Sequence, residues 1–166
     1  MTLGKTDDSL FPVRCARHII EAMVYLRNLR IVHTRININN IFVGEDKLLK
    51  IHGFGKARML LTKMILDKSG TIELTKNSPP ETLLARIYLF SSDLWYACIL
   101  CLQLIYPNFE LFKSFSEAKS YFMEHHDFNN EQLNKIQEDI RCKAIASCLS
   151  AKANKRGTAA SLLQEL

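Results

Sequence analysis

Residues 31–58, IVHTRININNIFVGEDKLLKIHGFGKAR, decide how this chain is read. Short apolar runs (Ile31-Val32, Ile41-Phe42-Val43, Leu48-Leu49 with Ile51) alternate with polar loops, the pattern of brief strands. Gly44-Glu45-Asp46-Lys47 joins two of them as a hairpin turn would. The loop before the hairpin carries His33, Thr34, Arg35, Asn37 and Asn40, and the loop after it carries Gly53-Phe54-Gly55. A guanidinium is a donor and cannot act as a base, so Arg35 offers no proton acceptor. Gly53 offers no side chain. A lone histidine such as His33 is more often a satisfied core side chain than a catalytic one, and Gly-Phe-Gly alone is a weak turn signal. Meaning comes from the order and spacing of motifs along the chain.

Upstream, Ala16, Ile19, Ile20, Met23 and Leu26 lie on one face of an amphipathic helix spanning residues 11–29. Downstream come Ser78-Pro79-Pro80-Glu81, then Asp93-Leu94-Trp95 at the head of an apolar run reaching Tyr106. Leu100 and Leu104 fall within that run. A second amphipathic stretch covers residues 114–124, with Phe115, Ala118, Tyr121 and Phe122 on its apolar face. His125 and His126 follow it, placed to complement the helix C-terminus, and Asn129-Asn130-Glu131 signals the start of another helix. Cys148-Leu149-Ser150 and Arg156-Gly157-Thr158-Ala159 close the chain, with Thr158 as the expected cap of a last helix.

Taken in this order, the motifs resemble those of the protein kinase family. The family's H-R-D-L-x-x-x-N lies over residues 33–40 and its D-F-G over Gly53-Phe54-Gly55. Its A-P-E lies over Pro79-Pro80-Glu81 and its D-V-W over Asp93-Leu94-Trp95. Its C-terminal Arg lies over Arg156. The resemblance covers roughly residues 9 to 166. It implies a mainly α fold with small β-hairpins: a kinase-like C-lobe with the helix from Asp93 at its buried centre. Glu81, Asp93, Trp95 and Arg156 take structural roles in this resemblance, with Glu81 and Arg156 expected to form a buried ion pair.

The same resemblance places the reaction chemistry at His33, Thr34, Arg35 and Asn37, and there the family's groups are gone. The general base is replaced by Arg35, the phosphate-facing Lys by Asn37, and the Arg that meets a phosphorylated activation loop by Thr34. The nucleotide-facing positions are Asn40, Phe42, Gly53, Phe54 and Gly55. Gly53 stands where the magnesium-holding Asp would be, so Asn40 is the metal ligand that remains, and one neutral amide makes a poor magnesium site. Losing a general base alone typically costs about 10²–10⁴ in rate. The kept residues serve folding and the lost ones serve catalysis, which is the pattern of a pseudokinase. Glu45, Asp46 and Asp67 are the nearby acids, and none occupies a family catalytic position.

No G-x-G-x-x-G phosphate loop occurs. The expectation is a C-lobe lacking the N-lobe. Residues 1–10 read as a linker from it and 11–166 as the lobe. Within the lobe, residues 31–43 are a catalytic-loop remnant, 51–58 a metal-loop remnant and 53–81 an activation segment. Magnesium–ATP is expected only if a longer protein retains a nucleotide site, and otherwise no cofactor. Ile41, Phe42, Val43 and Phe54 would form an exposed apolar upper face.

Composition bounds the remaining classes. With 166 residues, 48% hydrophobic and 23% charged, the chain is long and apolar enough for one globular domain. Lys and Arg number 22 against 17 acids, a net charge of +5, yet the basic residues are scattered and lack the interleaved aromatics of a nucleic-acid platform. No nucleic-acid partner is expected. Five cysteines, with no second C-x-x-C or nearby His pair to complete a zinc site, read as small core residues in a reducing, intracellular and cytoplasmic setting. The run from Leu94 to Tyr106 is shorter than the about 20 residues a bilayer crossing needs. The expected role is a protein-interaction or regulatory scaffold whose partner is a protein, an active kinase among the candidates. The helix over residues 114–124 and the activation segment are its expected contact surfaces. The rival reading is residual ATP binding or phosphotransfer in a full-length parent.

Overall fold

The computed structural model of the chain describes residues 11–125, 133–134 and 140–166. The expected linker (1–10), His126 and the Asn129-Asn130-Glu131 helix start lie outside the described residues. The described elements are six helices and six short strands, which makes the fold mainly α with small antiparallel strand pairs.

Helix α1 (Phe11–Asn28) buries Cys15, Ala16, Ile19, Ile20, Met23 and Leu26. These recur every three to four positions, so one stripe of the helix can face the core while the rest stays wet. It ends where Arg30 turns left-handed at φ 57°, its N–H bonded back to the Arg27 carbonyl at 2.9 Å. Helix α3 (Phe90–Ile105) is the centre of the molecule and packs along α1. Every residue from Ser92 to Leu102 is buried, because the helix is apolar on all sides and neighbours cover all of them. It begins at Phe90, a turn before the expected Asp93. The Ser92 hydroxyl accepts the Leu89 N–H at 3.0 Å and so satisfies an amide at the helix N-terminus, ahead of the apolar run that Asp93 opens. Leu104, expected in the core, is only partly buried because it lies past the last fully covered turn.

Strands β2 (Ile41–Val43) and β3 (Leu49–Ile51) form the expected hairpin, with Ile41 opposite Ile51 and Val43 opposite Leu49. Its turn closes by Gly44 N–H to the Leu48 carbonyl and Lys47 N–H to the Gly44 carbonyl, both at 2.9 Å. Strand β1 (Ile31–Val32) pairs with β4 (Arg58–Met59), and β5 (Ile65–Leu66) with β6 (Ile87–Tyr88). These pairs tie the segment after Gly53 to the body of the fold. Phe42, Val43 and Phe54 are exposed as expected, whereas Ile41 is half-buried against the main core. Alternation turns Phe42 away from the core, and Val43, on the same face as Ile41, lies next to the turn and is not covered.

Helix α2 (Pro80–Ala85) follows Pro79 and stops at Arg86, which is left-handed at φ 52°. Helix α4 (Phe115–Glu124) is capped by Ser114, whose hydroxyl accepts the Glu117 N–H at 3.1 Å. Ala118 and Phe122 are buried in it, while Phe115, read as part of the apolar face, is 40% exposed because the first turn overhangs the core. His125 stacks on Tyr121 and bonds its carbonyl at 3.0 Å, so it does complement the helix end. Helices α5 (Ile140–Ser147) and α6 (Ala159–Glu165) close the fold, and Thr158 caps α6 by accepting the Ser161 N–H at 3.0 Å. Cys15, Cys98, Cys101, Cys142 and Cys148 are all buried free thiols. Burial pushes the thiols of Cys15, Cys98 and Cys101 up, away from the reactive thiolate. Among the described residues, no helix is long and apolar enough to cross a membrane.

Candidate functional site

Asp93, on the first turn of α3, organises the loop after β1. Its Oδ2 accepts the His33 N–H at 2.5 Å and its Oδ1 accepts the Thr34 N–H at 2.9 Å. Burial pushes the carboxyl up to about 7, against the pull of those two donors. The backbone it grips is unusual: Thr34 is left-handed at φ 70°, a conformation that costs a β-branched residue about 1–3 kcal/mol. The Thr34 hydroxyl compensates in part by donating to the Lys56 carbonyl at 3.2 Å, linking this loop to the segment after Gly53.

His33 is fully buried and satisfied on both ring nitrogens. Nδ1 accepts the Arg35 N–H at 3.2 Å, which leaves Nε2 to donate to the His52 carbonyl at 2.9 Å. Burial lowers its pKa, only partly opposed by the bond to the His52 carbonyl, so the ring is held neutral. The Phe54 ring meets it edge-on at 4.7 Å. His33 and Phe54 therefore act as supports between the two loops.

The polar side chains of this loop are turned to other contacts. Arg35 is 41% exposed and reaches Glu73 at 3.4 Å. Asn37 is turned into its own loop, its Oδ1 accepting the Asn39 N–H at 2.9 Å. Asn40 Nδ2 donates to the Arg35 carbonyl at 2.7 Å. The Asn40 Oδ1 lies 2.5 Å from where a β-carbon on Gly53 would stand, and Gly53 itself is left-handed at φ 85°. The Asn40 amide thus occupies the ground next to Gly53. These residues do not fit magnesium–ATP: they provide a neutral amide, a bare glycine and a guanidinium where a dication needs several anionic oxygens. Among the described residues, no group of three or more His, Cys, Asp or Glu side chains could hold a metal. Gly55 has open space around its α-carbon, and Phe42 lies tilted over His52 at 5.8 Å on the exposed side of the hairpin.

The start of α2 is anchored in the core. Arg156 is fully buried, and its Nη1 and Nη2 donate to Glu81 Oε1 and Oε2 at 2.8 and 2.7 Å. Its remaining donors meet the carbonyls of Ser150, Ser91 and Ala151. The guanidinium lies 4.7 Å over the Trp95 ring, and Trp95 Nε1 donates to the Asn77 carbonyl at 2.9 Å. Ser92 adds a 2.7 Å bond to Glu81. Glu81, Asp93, Trp95 and Arg156 thus belong to one packed framework behind the reacting positions.

Asp67 has no access to that centre. It is buried under the loop at residues 67–72, where Ile72 N–H, Thr71 N–H and the Ser69 hydroxyl donate to it at 3.1, 3.3 and 3.0 Å and Arg86 pairs with it at 3.2 Å. Burial opposes ionisation, but these donors outweigh it and hold the carboxyl below its ordinary range. Asp46 pairs with Lys50 across the hairpin turn at 2.8 Å, also away from the reacting positions. The Asp-Ser-Gly-Thr cluster was the one local signal that could have revealed the Asp67 turn.

Between the two loops and α3 lies a cavity of about 320 Å³. Arg35, Asn37 and Asn39 line it from one side, Glu73, Lys76 and Asn77 from the other. Ile99 and Leu100 of α3 also line it. Sequence order separates these residues by tens of positions, so no local pattern marks the cavity.

The comparisons with known proteins agree with this geometry. The family model described as protein tyrosine and serine/threonine kinase matches residues 9–166. Over 80 residues, 48% of this chain, the sequence is 34% identical to tyrosine-protein kinase Srms of Mus musculus and covers 16% of that protein. Over 93 residues (56%) it is 32% identical to tyrosine-protein kinase Fgr of Rattus norvegicus, covering 18% of it. Over 116 residues (64%) it is 32% identical to fibroblast growth factor receptor 1 of Xenopus laevis, covering 14% of it. The matched segments span less than a fifth of each of these relatives. With the Asp93-held loop, the Glu81–Arg156 anchor and a family match over nearly its whole length, this chain belongs to the protein tyrosine and serine/threonine kinase family.

Proposed function

We propose that this chain is a catalytically inactive, protein-kinase-like C-lobe that works by binding or regulating another protein. The observation that supports the reading is the exchange of groups at the reacting centre. Arg35 stands at the position of the family's general base, and the Asn40 amide lies 2.5 Å from the place a Gly53 side chain would start. A guanidinium cannot accept the substrate proton, and the remaining ligand set cannot neutralise a triphosphate. The structural framework is intact, so the fold is kept as a surface. The lobe is residues 11–166, with remnants of the catalytic loop at 31–43 and of the metal loop at 51–58, and an activation segment at 53–81. Partner contacts fall on that segment and on α4, the partner is a protein such as an active kinase, and neither nucleic acid nor a cofactor takes part. Five buried free thiols support a reducing intracellular setting.

The second reading is a piece of a protein kinase whose full-length form binds ATP weakly or retains residual phosphotransfer. Its support is that two of the relatives are named tyrosine-protein kinases. Two measurements separate them. Thermal melts of the chain and of its longest native parent, with and without magnesium and ATP, read binding through mass action. Phosphate transfer is then assayed in the natural parent and in a parent carrying Arg35→Asp and Gly53→Asp. Activity confined to the repaired parent supports the inactive reading, and transfer by the natural parent overturns it.

A further inference from the structure

We propose that the cavity between the Arg35 loop and the activation segment binds a phosphorylated side chain of a partner protein, with Arg35 as its phosphate clamp. This rests on the inactive reading above and names the class of partner that reading leaves open. Placing a guanidinium where a proton acceptor belongs inverts the charge at the head of the cavity. A site that would receive a hydroxyl becomes one that attracts an anion.

The cavity, about 320 Å³, is of the size that holds a small ligand. Arg35 and Lys76 are its cations, and Glu73 is its one acidic lining residue. Lys76 is shared with Glu110, and Arg35 with Glu73. The Arg35–Glu73 contact is long at 3.4 Å, with the partners 41% and 70% exposed, so it belongs to the class of surface pairs that contribute little. Glu73 is therefore easily displaced and serves as a placeholder. A phosphate, which carries about −1.5 to −2 charges and three acceptor oxygens, displaces it more readily than a single carboxylate does. The planar fork of arginine matches that acceptor geometry.

A second observation points to the same cavity. Asn77 lines it, and its Oδ1 is buried without a hydrogen-bond partner among the described residues. An orphaned buried amide oxygen is costly unless something meets it. An Asn side chain can turn to present either its oxygen or its nitrogen. That oxygen has no exposed surface as the side chain stands, so a turn of the amide is what would bring it to a ligand in the cavity. Asn37 and Asn39, across the cavity, supply further amides.

The test is ligand-detected binding to the full chain of three probes: N-acetyl-phosphoserine amide, N-acetyl-phosphotyrosine amide and N-acetyl-glutamate amide, with N-acetyl-serine amide as reference. At least one phosphorylated probe is expected to bind. Arg35→Gln should weaken it by about tenfold or more, as loss of a charge-assisted fork does. Glu73→Gln should tighten it, because the competitor is removed. Lys143→Gln, an exposed cation on α5, should leave it unchanged. Equal binding by the natural chain and Arg35→Gln, or no preference for phosphorylated probes over serine, overturns the proposal. Glutamate binding as tightly as phosphate also overturns it, in favour of a carboxylate reader. The transfer assay stands apart from these outcomes. A chain that ignores every probe while transferring no phosphate is still inactive, and a chain that transfers phosphate fails the earlier reading whatever it binds.

Discussion

Asp93 and His33 titrate in opposite senses, which gives the loop they share a signed pH dependence. Asp93 goes from an ordinary 3.8 to about 7 on burial. Between those values the folded chain holds a proton that the unfolded chain has released. Its contribution is therefore full below about pH 4 and is lost as pH rises through about 7. His33 is lowered from 6.5, so its contribution is full above 6.5 and is lost as pH falls below that value. Asp93→Asn removes only the first effect. Urea melts at pH 4, 5.5 and 7 should show the natural chain losing more stability than this variant on going up the series, and parallel profiles would contradict the assignment. At Gly53 the constraint is steric. Gly53→Ala should cost about 1–3 kcal/mol, from the left-handed backbone and from the Asn40 amide 2.5 Å away. In an Asn40→Ala background the same substitution should cost less, and strictly additive free energies would refute the coupling. The repair Gly53→Asp meets the same amide, although Asp tolerates a left-handed backbone better than Ala does.

At the scale of elements, two anchors hold residues 65–86, one at the loop after β5 and one at the start of α2. Glu81 fixes the start of α2 to the C-terminal loop through Arg156, which has no solvent to fall back on. Glu81→Gln should cost about 3–5 kcal/mol, because the buried guanidinium is left without its counter-charge, and equilibrium denaturation measures this directly. Asp67 holds the loop between β5 and α2 by backbone and hydroxyl donors. Asp67→Asn should cost about 1–3 kcal/mol and act locally. Hydrogen exchange should then rise in residues 65–72 and at β6 while α1 and α3 keep their protection. Uniform acceleration across all three elements would mean that the segment is not a separable unit. The helices were readable as types because their apolar spacing is regular. Their ends were less so: α3 starts early because the Ser92 side chain supplies a cap, a contact between side chain and backbone that periodicity does not encode.

At the scale of the molecule, the hairpin and the segment after it leave a large apolar surface in water. Phe42, Val43, Phe54, Met59 and Leu61 are 50%, 41%, 44%, 60% and 71% exposed. Contiguous exposed apolar surface promotes association, so light scattering of the isolated chain should show self-association that Phe42→Lys with Leu61→Lys reduces. No reduction would place the sticky surface elsewhere. What the sequence determined by itself was the family frame: the order of short motifs, the helical stripe of α1, the buried run of α3 and the identities Arg35 and Gly53 in their loops. Those are local identities and spacings, and a linear chain carries them in full. Tertiary structure alone decided what took the vacated ground. The Asn40 amide filling in beside Gly53, Asp67 withdrawn into a loop, and Arg35, Glu73, Lys76 and Asn77 gathered on one cavity are contacts between distant positions. They depend on how far each side chain reaches once the backbone has closed, and spacing along the chain holds no record of that.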